Sequence, residues 1–250
     1  YNAARGVAQT VNSAVQAFVG SFTTSFSPQI TKSYAAGDTA SAVQLGHRGT
    51  RFAWLMMYIF LVPIVCEADT LLRLWLGDVV PDGAALFVRL TMFEALTVAA
   101  GQNLFRLIQA DGKVKHYTIH SAITAGLIFP FVWVAYLMGA PVWVSYLIFI
   151  VDFMALNVVR FYDMKKLMTF SIRQHIKDVI VPCGIVSILS FVAPLAVCYW
   201  MEAGIARFFV NMPVAVVWTG LCCLFFGLTK GERQFFCNKA KSFVNKLLKK

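Results

Sequence analysis

The sequence predicts an all-α polytopic membrane protein with about seven transmembrane helices. Hydrophobic residues make up 59% of its 250 positions, and the mean hydropathy is +0.68. Charged residues make up only 14%, where a soluble domain carries about 25%. Apolar runs long enough to cross a bilayer recur along the chain, separated by short polar breaks.

The first expected span covers residues 2–27, with no charge between Arg5 and Lys32 and with Pro28 closing it. Residues 28–50 read as a loop whose charges are Lys32, Arg48 and, at its junction with the second span, Arg51 against Asp38, and the second span as 51–66. An acidic loop follows, with Glu67, Asp69, Asp78 and Asp82 against Arg73. The third span is expected at 84–108, a Gly112 turn with Lys113 and Lys115 comes next, and the fourth span is 117–138. Gly139, Ala140 and Pro141 turn the chain into a fifth span at 142–160. Residues 161–178 place Leu167, Phe170, Ile172 and Ile176 like the apolar side of an interfacial amphipathic helix. The sixth and seventh spans are 179–201 and 208–228. The bundle therefore runs from 1 to 229. Residues 230–250, where lysines alternate with Phe235, Phe236, Phe243, Leu247 and Leu248, read as a basic amphipathic tail on an anionic leaflet.

The breaks after the first, third and fifth spans and the tail carry excess Lys and Arg, whereas the break after the second is acidic. All the positive segments fall on one side when seven spans are threaded, which predicts a cytoplasmic C-terminus and an N-terminus on the opposite side. The net charge of +10 is thus explained by membrane topology, and nucleic acid is not an expected partner. The chain starts at Tyr1 with no basic signal-like region, which reads as the start of a fragment of a longer protein.

The six cysteines, Cys66, Cys183, Cys198, Cys222, Cys223 and Cys237, are scattered through mostly apolar runs with no metal-ligand spacing. No phosphate-binding glycine loop, zinc-protease or nucleophile-elbow motif occurs. No cofactor, metal or catalytic chemistry is expected, and transport would draw on an ion gradient, the membrane potential, the substrate gradient or a partner that hydrolyses nucleotide.

Candidate functional residues are the polar ones inside spans. On a helical wheel Arg5, Gln9, Asn12, Gln16 and Thr23 fall in one arc of the first helix roughly 80° wide, opposite Val7, Val11, Phe18 and Phe22. A lipid-facing helix has no use for such a ladder, so the stripe either lines a polar cavity or glues helices together. Arg5 suits a phosphate, because a guanidinium offers forked donors and a permanent charge. The amides suit sugar hydroxyls, since each can donate and accept. The competing role for Arg5 is an internal ion pair with Glu94 or Asp152. Thr91, Glu94, Gln102 and Gln109 form a second, weaker polar face on the third span, with Asn103 pointing away, and Asp152 lies mid-way along the fifth. Glu94 and Asp152 are the candidates for ion coupling.

The segment Tyr1-Asn2-Ala3-Ala4-Arg5-Gly6, the polar helix after it, Pro28-Gln29-Ile30 and Gly37-Asp38 are similar to the start of the C-terminal half of bacterial polysaccharide flippases. Leu74-Trp75-Leu76-Gly77 and Gln109-Ala110-Asp111-Gly112-Lys113 also sit where that family has short patterns. The family is the O-antigen and lipid-linked oligosaccharide exporter group of the multidrug/oligosaccharidyl-lipid/polysaccharide (MATE-like) superfamily. The resemblance implies a two-bundle transporter of which this chain is the second bundle, with the first helix lining the central cavity. It implies polyprenyl-diphosphate-linked oligosaccharide as substrate, membrane lipids and polysaccharide assembly proteins as partners, and the bacterial cytoplasmic membrane as location, the N-terminus being periplasmic. It also implies that Arg5 contacts the diphosphate or an acidic sugar.

Three other readings stand beside this one. A cation-coupled drug exporter of the same superfamily would use Glu94 or Asp152. An integral membrane glycosyl- or acyltransferase would find its one suggestive pair in His116 and His120, which otherwise are interfacial residues near Lys115. A non-transporting scaffold for polysaccharide assembly is the third.

Overall fold

The computed structural model describes residues 1–168, 170–235 and 238, without the side chain of Leu167. The described residues form helices: α1 (Asn2–Thr24), α2 (Phe26–Ala35), α3 (Thr39–Cys66), α4 (Ala68–Leu76), α5 (Ala84–Asp111), α6 (Lys115–Leu137) and α7 (Val144–Leu167). Two further long helices follow, α8 (Ile172–Trp200) and α9 (Ile205–Gly227). α8 has a π-helical segment at Ile176–Ile180 and a break at Ser190 and Phe191; α9 ends in a π-helical turn, Cys223–Gly227.

Six of these helices, α3 and α5 to α9, are long and apolar enough to span a membrane. The chain is an all-α polytopic membrane protein. α1, expected as a seventh span, has 23 residues, which is sufficient length, but it is not among the six. Its polar stripe and its serines and threonines dilute the apolar residues below what a span requires.

Three local expectations are corrected. The loop expected at 28–50 is helical, formed by α2 and the first three turns of α3. Pro28 does not close the first helix but lies in the first turn of α2, where its missing N–H costs nothing. Asp38 starts α3, its carboxylate accepting the Ser41 N–H at 3.0 Å. The Ser41 hydroxyl, and after it this N–H, hold the Asp38 carboxyl below the usual carboxylate range. The acidic loop after α3 contains α4, which buries Ala68, Thr70 and Leu72 and leaves Leu74 and Trp75 exposed. Among the described residues no separate interfacial helix forms at 161–178: α7 continues to Leu167 and α8 begins at Ile172. Most of the basic tail expected at 230–250, with Phe236, Cys237, Phe243, Leu247 and Leu248, lies outside the described residues.

α3 and α5 form the centre. α5 packs against α1, α2, α3, α4 and α7; α3 also carries α8 and α9 on its other side, and α6 packs on α7 at the far end of the row. Small residues let α3 and α5 approach closely. A Cβ on Gly49 would stand 2.9 Å from the Asn103 side chain, and one on Gly46 would overlap Leu107. Gly101 does the same for the α5–α7 crossing, where Arg160 and Asn157 occupy the space a side chain would need. The main core joins Ala8, Val15 and Val19 of α1 to Met57 and Leu61 of α3 and Met92 and Leu96 of α5.

Buried polar groups tie the helix ends. Arg51, 4% exposed, was expected as a loop charge but lies inside α3. Its guanidinium reaches Glu232 at 2.5 and 2.6 Å and the Asp178 carbonyl at 2.9 Å, joining α3, α8 and the segment after α9. Burial alone would raise the Glu232 carboxyl. The Thr229 N–H and hydroxyl, together with Arg51, outweigh burial and hold it below its ordinary value. At the opposite end Glu67, with no exposed side-chain surface, pairs with Arg207 at 3.0 Å. It also accepts from Asn211 Nδ2 at 2.7 Å. Tyr34 of α2 donates to Asp111 at the end of α5. Burial and the neighbouring carboxylate add to that bond in raising the Tyr34 hydroxyl above its ordinary value.

Candidate functional site

The polar stripe of α1 is divided by the packing. Asn12 and Thr23 belong to the buried side of the helix, with Ala4, Ala8, Val15 and Val19. The Thr23 carbonyl accepts from Arg106 of α5, and Thr23 Oγ1 donates to Gly20 O at 3.1 Å. Thr23 thus ties α1 to α5 through its backbone carbonyl, and Asn12 packs on the same buried side. Asn12 Oδ1 is buried with no protein donor. Arg5 and Gln9 are exposed and Gln16 is half-buried.

The direction of this exposed part follows from its neighbours. Phe18 packs on Phe60 of α3 at a ring distance of 5.0 Å, and Phe22 on Phe52 at 6.2 Å, so the α3 side of α1 is fixed. Arg5 lies on the other flank, its guanidinium 5.8 Å from the Tyr146 ring of α7. α1 and α7 both pack on α5 and do not pack along one another. The Arg5, Gln9 and Gln16 flank of α1 therefore borders the open side of α5 that faces α7.

Glu94 of α5 is half-buried there and feels the Arg5 charge, but the two form no ion pair or hydrogen bond. The ion pair weighed for Arg5 is thus not made with Glu94. It is not made with Asp152 either. That residue faces α6, in an apolar crevice with Thr124, Leu127, Val151 and Ala155. The structure brings Arg5, Gln9, Gln16 and Glu94 to one side and separates Asp152 from them. On α5, Thr91 is buried with its hydroxyl on the Phe87 carbonyl, Gln102 is half-buried and Gln109 is exposed. Asn103 points away from this face into the Gly49 contact of α3, as its position on the wheel indicates.

The outward side of α1 differs from that of α6, the helix at the end of the row. Thr10, Ser13, Ala17, Ser21 and Thr24 are exposed on α1. Three of those hydroxyls bond back to carbonyls of the same helix, Thr10 to Gly6 at 2.9 Å and Ser21 and Thr24 to Ala17 and Gly20 at 2.7 Å. On α6 the exposed residues include Phe129, Phe131, Trp133 and Leu137. The α6 side chains suit hydrocarbon, whereas the α1 face suits water or another polar surface.

Sequence reasoning missed the buried polar groups that organise the bundle. Arg160 Nε and Nη2 contact the Tyr117 hydroxyl at 3.1 and 2.9 Å, and Arg160 Nη1 donates to Asn157, which in turn donates to the Thr97 carbonyl. His47 packs edge-on against Phe170 and His175 tilts against Phe161, with the two histidine ring centres 4.9 Å apart. The available signal was Asn157 and Asn211 inside apolar runs, each costly unless partnered.

Among the described residues no group of three or more His, Cys, Asp or Glu side chains is placed to hold a metal ion. Chemically, the α1 flank offers one permanent cation, two amides and a nearby carboxylate. That set can bind an anion through forked donors and hydroxyls through the amides. Comparison of the chain with protein-family models, curated proteins and solved structures finds no match.

Proposed function

We propose that the chain forms one bundle of a transporter that flips polyprenyl-diphosphate-linked oligosaccharide across the bacterial cytoplasmic membrane for surface polysaccharide synthesis. The observation that carries the proposal is the outward flank of α1, where Arg5, Gln9 and Gln16 border the open side of α5 beside the exposed hydroxyls of Thr10, Ser13, Ser21 and Thr24, while the exposed Phe18 and Phe22 lie on the α3 side. In this reading the flank is part of a cavity wall completed by a second bundle. Arg5 meets the diphosphate or an acidic sugar, and the amides meet hydroxyls. The lipid tail stays in hydrocarbon while the two bundles rock. The barrier being lowered is desolvation, since a diphosphate taken into hydrocarbon is prohibitively costly.

Glu94 favours a second reading. A carboxylate beside the same flank suits a cation-coupled drug exporter, in which a proton or Na⁺ occupies Glu94. The absence of a direct Arg5–Glu94 pair leaves that carboxylate free to bind one.

The test is complementation. The complete gene is expressed in a flippase-deficient bacterium making the matching glycan, and the inner-leaflet pool of lipid-linked oligosaccharide is measured together with surface polysaccharide. Wild type is expected to clear the pool. Arg5→Ala, at equal protein level, is expected to export roughly ten- to a hundredfold less, from the ~1.5–3 kcal/mol of a hydrogen bond to a charged group. A wild-type protein that leaves the pool uncleared while extruding cationic dyes overturns the flippase reading in favour of the drug exporter.

A further inference from the structure

The edge pair α6–α7 carries a second feature, on the face away from α1. At its basic end Lys113, His116, His120 and Lys166 converge with Tyr117, Tyr162 and Asp163 around one cavity. The start of α6 lies here, so the unpaired N–H groups of its first turn add positive potential. Lys166 Nζ sits 4.2 Å from the centre of the Tyr162 ring, and Lys113 and Lys166 are exposed. The acid in the cavity, Asp163, is 3% exposed, and its carboxylate contacts His120 Nδ1 at 3.3 Å. The cationic groups outnumber it.

The cavity does not end there. His120 and Tyr162 also line an apolar crevice with Ile123, Thr124, Val158 and Val159. Thr124 in turn leads into the crevice of Leu127, Phe131, Leu147, Val151 and Ala155. Leu127, Phe131, Val151 and Val158 are 46 to 65% exposed, and α6 packs on α7 along its length, meeting α5 at Tyr117 against Phe105, so the furrow opens sideways. From His120 to Phe131 the helix rises about 17 Å, close to half of a ~30 Å hydrocarbon core. Asp152 is the acid along this wall, about 15 Å from the level of Tyr162.

We infer that this furrow is a seat for one anionic phospholipid. The phosphate lies against Lys113, Lys166 and His116 at the end of α6, and one acyl chain lies along the α6–α7 crevice. The positive-inside pattern puts this end in the cytoplasmic leaflet, where anionic headgroups meet basic pockets between helices. The inference is independent of the flippase reading. It uses neither Arg5 nor the α1 flank, and it places the His116 and His120 pair at an anion rather than in catalysis.

The test uses the full chain purified in detergent and incubated with phosphatidylglycerol or phosphatidylcholine, with retained lipid counted by native mass spectrometry. Phosphatidylglycerol is expected to be retained about tenfold more than phosphatidylcholine. The double variant Lys113→Gln/Lys166→Gln is expected to lose that preference, and Lys32→Gln, a cation elsewhere at the same end, to keep it. Ala155→Trp or Val151→Trp, each filling the crevice from its open side, is expected to lower retention with both lysines intact. Unchanged phosphatidylglycerol retention in the lysine double variant overturns the seat. So does full displacement by inorganic phosphate together with normal retention in both crevice variants, which would leave an anion pocket with no acyl-chain site.

Discussion

Glu67 has no exposed side-chain surface, and what keeps its carboxylate inside is the Arg207 pair at 3.0 Å and the Asn211 amide at 2.7 Å. Removing one member of a buried pair leaves an uncompensated charge, which typically costs about 3–5 kcal/mol. Arg207→Leu is therefore expected to lower the thermal unfolding temperature in detergent sharply. Asp69→Ala removes an ion pair of similar length, Arg89–Asp69 at 2.6 Å, but its partners are 35 and 64% exposed. It is expected to change stability by no more than ~1 kcal/mol. Equal losses in the two variants would contradict the assignment of Glu67 as the buried anchor. The contrast also shows what sequence could carry at this scale. Glu67 and Asp69 look alike in an acidic segment, because burial depends on helices that arrive more than a hundred residues later. In the α1 stripe the wheel identified the polar arc, yet it could not separate Asn12 and Thr23, which pack, from Arg5 and Gln9, which do not. All four lie within one arc, and the packing boundary runs through it.

The helices of the bundle are set by hydrophobic length, so six long apolar helices were legible from sequence. The errors came where helices carry charge. Residues 39–50 read as a loop because of Arg48 and Arg51, but Glu232 neutralises Arg51 inside the fold and the helix runs through. What brings elements together was less legible than the elements themselves, because a glycine in an apolar run does not announce its partner. Gly46 and Gly49 face Leu107 and Asn103 across the α3–α5 crossing, whereas nothing stands near Gly126 of α6. Gly49→Leu is expected to destabilise the fold by roughly 1–3 kcal/mol or more, through overpacking of the central helix pair. Gly126→Leu is expected to be neutral to within ~0.5 kcal/mol. Thermal unfolding of the two purified variants checks this, and an equally stable Gly49→Leu would contradict the close α3–α5 approach.

In the whole molecule, α6 at the end of the row and α1, which lies across α3 and α5, expose unlike faces. α6 shows hydrocarbon-type side chains, with Phe129 76% exposed, and α1 shows hydroxyls, amides and Arg5. Composition alone places the chain in a membrane. The asymmetry needs the fold, since it depends on which side of α1 the α3 and α5 contacts consume. On this reading of the fold, the remaining flank of α1 faces water. It is tested most directly by placing single cysteines in a cysteine-free background at Gln9, Gln16 and Phe129 and measuring modification by a membrane-impermeant, charged thiol reagent. Such reagents attack the thiolate, which forms only where water reaches. The cysteines at positions 9 and 16 are expected to be modified and the one at position 129 to be inert. Cysteines at 9 and 16 as unreactive as the one at 129 would contradict it.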